Sequence, residues 1–140
     1  MRSISIFMID DSLADAALIQ LAAQQSNVPS KFRHFEDGQS ALEYMRDADH
    51  ELPDLILLDL NMPGLSGHEV LSEIRSDAHL LRLPVLVLTS SEEEFDIGRS
   101  YDEYVNGYMV KPVGGSGFKD IVDSIEGFWS TIVMLPPNYT

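Results

Sequence analysis

A chain of 140 residues, 44% of them hydrophobic and none of them cysteine, suffices for one domain with a full core and excludes a disulfide framework, a thiolate metal site and a cysteine nucleophile. Nine Lys and Arg against 23 Asp and Glu leave a formal charge of −14, which repels a phosphate backbone and argues against nucleic-acid binding. No run approaches the ~18 apolar residues of a membrane span, and the apolar N-terminal run stops at Asp10, too soon for a signal-peptide core, so the expectation is a cytoplasmic domain over 1–140, with 130–140 as a C-terminal extension.

The first dense apolar run, Ile4 to Ile9, predicts a strand, and Asp11 or Ser12 can cap the helix that follows, whose spaced residues are Leu13, Ala17 and Leu21. A second strand is expected over Lys31 to Phe35, then a helix capped by Asp37 and carrying Ala41, Leu42 and Met45. The third strand, Asp54 to Leu58, precedes a helix capped by Ser66 with Val70, Leu71 and Ile74. A fourth strand, Pro84 to Leu88, precedes a helix capped by Ser90 or Ser91 with Phe95, Ile97, Tyr101 and Tyr104. The fifth strand, Gly107 to Val110, leads to a helix with Phe118, Ile121, Val122, Ile125 and Phe128. Near-continuous Ile, Leu and Val in strands 1, 3 and 4 suit a parallel sheet covered on both faces. Five βα units therefore predict an α/β, flavodoxin-like (βα)5 doubly wound parallel five-stranded sheet of order 2-1-3-4-5.

Ligands of open α/β sheets bind beyond the carboxyl ends of the strands, where strand order reverses. There the order brings together Asp10 and Asp11 after strand 1, Asp59 after strand 3, Thr89 after strand 4, and Lys111 with Pro112 after strand 5. Each has an ordinary reading by itself: helix capping for Asp10 and Asp11, turn chemistry for Asp59, a strand end for Thr89, a solvated ammonium for Lys111. Together they form a cluster of carboxylates that repel one another unless a cation sits among them. Mg2+ suits it, with Mn2+ or Ca2+ as substitutes, because a hard cation takes oxygen ligands and keeps waters that a phosphate can replace. Screened in this way, Asp59 could form an aspartyl phosphate, with Lys111 and Thr89 binding phosphoryl oxygens.

The set Asp10-Asp11, Leu58 to Pro63 with Gly67, Thr89, and Tyr108 to Pro112 resembles the receiver domain of two-component response regulators, in order and in spacing. The resemblance runs from Ile4 to about Trp129. It implies a phosphoacceptor, Asp59, served by a sensor histidine kinase. Asp11, Asp59 and the Asn61 carbonyl would ligate the metal, with Asp10 reaching it through a bound water. Thr89 and Lys111 would hold the phosphoryl group, Tyr108 would be the aromatic switch that follows Thr89, and Asn61 and Ser91 would tune dephosphorylation. The Lys111–Pro112 bond would be cis. Ser90, Gly64, Ser66 and the segment Gly114-Gly115-Ser116-Gly117 depart from the common pattern without removing a reacting group.

A narrower likeness, in Glu93 to Ile97, Ser100-Tyr101, Val105 to Tyr108 and Ile125 to Trp129 with a Leu135-Pro136 ending, is to single-domain regulators that partner bacterial phytochromes. Phe128, Trp129 and Ile132 exceed what a terminal helix needs for its core. With Tyr101 and Tyr104 they suggest a homodimer through the helix 4, strand 5 and helix 5 face; the alternative is a tail folded over its own domain. Of the four histidines, His34, His50, His68 and His79, none is expected to bind metal or to lie beside the acids. An Asp-nucleophile phosphohydrolase would want a second acid at position 61, where Asn61 stands. A flavin carrier would want a hydroxyl-rich loop after strand 1, and a non-phosphorylated interaction module would not need the intact reacting set.

Overall fold

The computed structural model describes residues 3–26, 30–113 and 117–131, with side chains to 125. Five strands and five helices alternate: β1 (Ile4–Ile9), α1 (Leu13–Gln25), β2 (Ser30–Phe35), α2 (Gly38–Arg46), β3 (Leu55–Leu58), α3 (Gly67–Ser76), β4 (Val85–Thr89), α4 (Glu94–Asp102), β5 (Gly107–Val110) and α5 (Gly117–Thr131). All pairings are parallel and the order is β2-β1-β3-β4-β5, as the alternation of runs predicts.

Strand side chains alternate between faces, so each strand serves two cores. Phe7, Ile9, Ile56, Leu58, Val85 and Val87 pack on one face with Ala41, Leu42 and Met45 of α2 and Val70, Leu71 and Ile74 of α3. On the other, Ile6, Met8, Leu55, Leu57, Leu86 and Leu88 pack with α1 and with Phe118, Val122 and Ile125 of α5. Side chains of α1 contribute differently from the expected stripe. Leu13, Ala17 and Leu21 face solvent, and Ala16, Ile19, Ala22 and Ala23 are buried. This helix is apolar nearly all round, so spacing alone does not choose a face, and its alanines allow close approach to the sheet.

Ser12 caps α1 by accepting from the Asp15 N–H at 3.1 Å, and Asp37 caps α2 by accepting from the Ser40 N–H at 2.7 Å. Ser66 and Glu69 form a reciprocal capping box on α3. The fourth helix departs from expectation. It starts at Glu94 behind Glu93, which makes no side-chain cap bond; Ser91 Oγ accepts from the Glu93 N–H at 3.3 Å and donates to the Asp96 carboxylate at 2.6 Å. Its sole buried residue is Ser100; Phe95 is 72% exposed and Tyr101 51%. Among the described residues, no helix is long and apolar enough to cross a membrane.

Candidate functional site

Main-chain hydrogen bonds at the strand ends set the positions of the reacting groups. The Asp10 N–H donates to Phe35 O at 3.0 Å, the Asp59 N–H to Ile9 O at 2.9 Å, and the Lys111 N–H to Thr89 O at 2.7 Å. Each polar side chain thus stands one step beyond its ladder at the sheet edge. Gly67 closes the floor of the site. Its N–H donates to Leu60 O at 2.9 Å, and a Cβ there would lie 2.2 Å from the Asp59 carbonyl oxygen, so only glycine lets α3 approach this closely. Between them Gly64 turns the chain at φ 74°.

Asp10 is fully buried and Asp59 nearly so, whereas Asp11 is exposed. One carboxylate oxygen from each of Asp10, Asp11 and Asp59 lies within 4.8 Å of the others. Asp10 Oδ1 accepts from the Ser12 N–H at 2.9 Å. Its Oδ2 is buried without an aligned hydrogen bond, and its charged neighbour is Lys111 Nζ at 2.8 Å. The same ammonium lies 3.5 Å from Asp59 and 2.7 Å from Asp15. Thr89 is buried at the end of β4, with its Oγ1 3.5 Å from the Ser91 N–H. The Asn61 N–H lies 3.5 Å from Asp59 Oδ1.

Burial pushes the Asp10 carboxyl above its ordinary range, against the Lys111 and Ser12 hydrogen bonds and with help from the Asp59 charge. Burial also opposes the Lys111 charge, but hydrogen bonds to Asp10 and Asp15 outweigh it and hold the ammonium well above its ordinary range. Several acids therefore share one cation. Three carboxylates with one oxygen each within 4.8 Å, one of them the buried Asp10 whose Oδ2 has only the Lys111 ammonium beside it, and no sulfur or nitrogen donor in the set, fit a hard divalent cation. Asp10, Asp11 and Asp59 would hold it.

The expected cis bond at Lys111–Pro112 is absent: the described chain has no cis peptide. The trans form is the intrinsically favoured one, and with it the ammonium already reaches Asp10 and Asp59. The Tyr108 hydroxyl donates to Ser91 O at 2.9 Å, and burial pushes its phenol upward despite that bond. Tyr101 and Tyr104 are exposed, the latter at φ 62° with its carbonyl accepting two bonds from Arg75. The Phe128 and Trp129 side chains, and all of Ile132, lie outside the described residues.

Two participants were missed by sequence reasoning. Asp15 lies in the first turn of α1, three residues after the Ser12 cap and so at the same end of the sheet as Asp10, and this position could have identified it as a partner for Lys111. His34, set aside with the other histidines, donates from Nε2 to the Asp10 carbonyl at 2.7 Å, across the β1–β2 pair in which it faces Met8.

Comparison with known proteins agrees with this geometry. Residues 6–123 match the response regulator receiver domain. The response regulator Rcp1 of Synechocystis is 38% identical over 135 residues, 94% of this chain and 92% of its own. The probable methanogenesis regulatory protein FilR2 of Methanothrix harundinacea is 36% identical over 89% of this chain and 82% of its own. Among solved structures, the phosphorylated cyanobacterial phytochrome response regulator RcpA superposes with a TM-score of 0.91 at 44% identity, covering 97% of this chain and all of its own. The Mn2+-bound form of Rcp1 gives 0.88 at 36%, covering 96% and 99%. With the sheet order, the acidic cluster and the Lys111 contacts in place, the chain belongs to the response regulator receiver domain family.

Proposed function

We propose that this chain is a signalling receiver that accepts a phosphoryl group on Asp59 from a histidine kinase. The observation that carries this reading is the convergence of Asp10 and Asp59 on the Lys111 ammonium, beside Asp11, at the open end of the sheet. In the reaction an Asp59 oxygen forms the O–P bond as the P–N bond of a phosphohistidine breaks and the imidazole leaves with the electron pair. Asp11, Asp59 and the Asn61 carbonyl, with Asp10 behind them, would hold Mg2+, which would supply the positive charge that lets two anions approach.

Lys111 then exchanges part of its carboxylate contact for a phosphoryl oxygen, and the Thr89 hydroxyl donates to another. Tyr108 follows Thr89 inward, leaving Ser91 O. Asn61 and Ser91, beside the acyl phosphate, tune its hydrolysis. The output is a changed surface over α4, β5 and α5, where exposed Tyr101 and Tyr104 offer a face for a partner or for a second copy of the chain. Likeness to RcpA and Rcp1 makes a phytochrome-type sensor kinase the favoured cytoplasmic donor.

Intact mass after incubation with acetyl phosphate tests the reading. One hydroxylamine-labile adduct is expected, dependent on Mg2+ and lost in Asp59→Asn. No adduct under any condition, or steady release of phosphate from simple monoesters, overturns it. Light scattering at high concentration, with and without the adduct, tests self-association; a monomer in both states removes the dimer.

A further inference from the structure

The second residue of α3 is a buried histidine that the phosphoacceptor chemistry does not use. His68 is 6% exposed, and both of its ring nitrogens face carboxylates of the next helix. Nδ1 lies 3.0 Å from Glu103 Oε1, at the C-cap of α4, and Nε2 lies 3.3 Å from Asp96 Oδ1, in its first turn. A neutral imidazole carries one N–H and one lone pair, so one of these contacts would set a lone pair against a carboxylate oxygen. Only the imidazolium donates to both. A buried cation is tolerated where charged acceptors surround it, and here two acids do.

The charged groups facing the ring among the described residues are Asp96 and Glu103, with Arg99 behind Glu103 at 3.3 Å. On the inner face of α3, Val70, Leu71 and Ile74 carry no charge. From Asp96 the contacts run on to the site. Asp96 Oδ2 accepts from the Ser91 hydroxyl at 2.6 Å, the Ser91 N–H lies 3.5 Å from Thr89 Oγ1, and Ser91 O accepts from Tyr108 at 2.9 Å. The Ser91 and His68 hydrogen bonds hold the Asp96 carboxyl below its ordinary range, against its burial. On the other side, the residue before His68 is Gly67, in van der Waals contact with the Asp59 main chain. His68 therefore stands between the phosphoacceptor loop and both ends of α4, a helix that buries no apolar side chain.

We propose that the His68 imidazolium is a latch that positions α4 and the loop 90–93 against the sheet, and so favours the arrangement in which Thr89 and Tyr108 are turned toward Ser91. Coupling to Asp59 rests on the receiver reading above; the latch itself does not. With the latch closed, Asp96 holds Ser91, and Ser91 holds Tyr108. Once Thr89 turns to a phosphoryl group, its contact with Ser91 is given up, and α4 rests more heavily on the His68 contacts.

Amide hydrogen exchange on the full chain tests this. In unphosphorylated His68→Gln, which cannot donate from both positions, exchange over residues 94–102 should rise about tenfold, the order expected for losing a charge-assisted bond, while that of β1 and β3 stays unchanged. Glu103→Gln, which leaves the core intact, should give part of the loosening and guards against misfolding of the first variant. Protection of α4 unaltered in both variants overturns the latch.

The rate of adduct formation from acetyl phosphate separates the two readings. Removing a latch on the resting state should raise that rate in His68→Gln, by at most the same factor of about ten, whereas damage to the fold would lower it. Loosening of α4 without a faster adduct overturns the coupling to Asp59. Absence of an adduct in the wild type overturns the receiver reading, and the exchange data then decide the latch alone.

Discussion

The helices α3 and α4 stand side by side near Asp59, joined through His68, and they are held in opposite ways. The first has a reciprocal capping box and three fully buried aliphatic side chains, Val70, Leu71 and Ile74. At about 1.5–3 kcal/mol for each fully buried side chain, that face anchors α3 firmly. The second has no capping side chain, buries only Ser100, turns Phe95 and Tyr101 to solvent, and is attached through His68 and Ser91. Apolar burial is insensitive to a proton or a hydroxyl rotation; the polar attachment of α4 is sensitive to both. A fixed helix placed directly on the Asp59 main chain and a conditionally held neighbour are what a switch requires.

The strongest challenge to the contrast is a matched truncation. Ile74→Ala should cost about 2–5 kcal/mol by removing a fully buried side chain. Ile97→Ala in half-buried α4 should cost roughly half that or less, since part of the side chain already meets water. Urea denaturation with a common slope measures both, and equal losses would mean that α4 is as firmly anchored as α3.

Next in size is Gly67→Ala. A Cβ there would sit 2.2 Å from the Asp59 carbonyl oxygen and 2.6 Å from the Leu60 Cα, both backbone atoms that cannot turn aside. A loss of about 1–3 kcal/mol is expected, together with slower adduct formation because the displaced atoms belong to the phosphoacceptor loop. Unchanged denaturation and unchanged adduct rate would show that α3 is free to shift.

The polar attachment of α4 has its own signature in pH. The Asp96 carboxyl is held below its ordinary value of 3.8, first by the Ser91 hydroxyl and then, against burial, by His68. A lowered folded-state value contributes stability that is present above the unfolded value and is lost as pH falls through the folded one. Asp96→Asn should therefore cost about 1 kcal/mol near neutrality, and the difference from wild type should shrink below about pH 4. A difference that persists undiminished into acid would place the stabilisation elsewhere.

Much of this arrangement could be read in the amino-acid order, for a physical reason. Strands covered on both faces leave dense apolar runs, and the polar residue that ends each run must stand at the sheet edge, so Asp10, Asp59, Thr89 and Lys111 announce their meeting before any coordinate is known. What could not be read depends on directions within helices. In α1 nine of thirteen positions are apolar and they surround the helix, so the stripe Leu13, Ala17, Leu21 was as regular as the one that is buried. His68 looked like any surface histidine next to a glycine, because the acids that engage it lie 28 and 35 residues away on another element. Ser91 was read as a cap, but its hydroxyl donates to Asp96 and α4 starts at Glu94. The Lys111–Pro112 isomer depends on a small energy difference that spacing does not encode.

The smallest effect has the opposite sign. Gly98 lies inside α4, and a Cβ built there would meet nothing within 4 Å. A glycine in a helix interior costs up to about 1 kcal/mol relative to alanine through the freedom it retains when unfolded. At an unobstructed site Gly98→Ala should therefore stabilise the chain by about 0.5–1 kcal/mol in denaturation. The glycine that opens α3, Gly67, is fixed by contact; Gly98 is not, and its presence keeps α4 weak as a helix in its own right. Alanine at 98 strengthens the helix without touching His68, Asp96 or Glu103, so exchange within 94–102 should slow while the loosening caused by His68→Gln survives in the same background. Loss of that loosening would mean that α4 opens by fraying of its own turns. Its survival would mean that the helix leaves the sheet as a unit, hinged on its polar attachments.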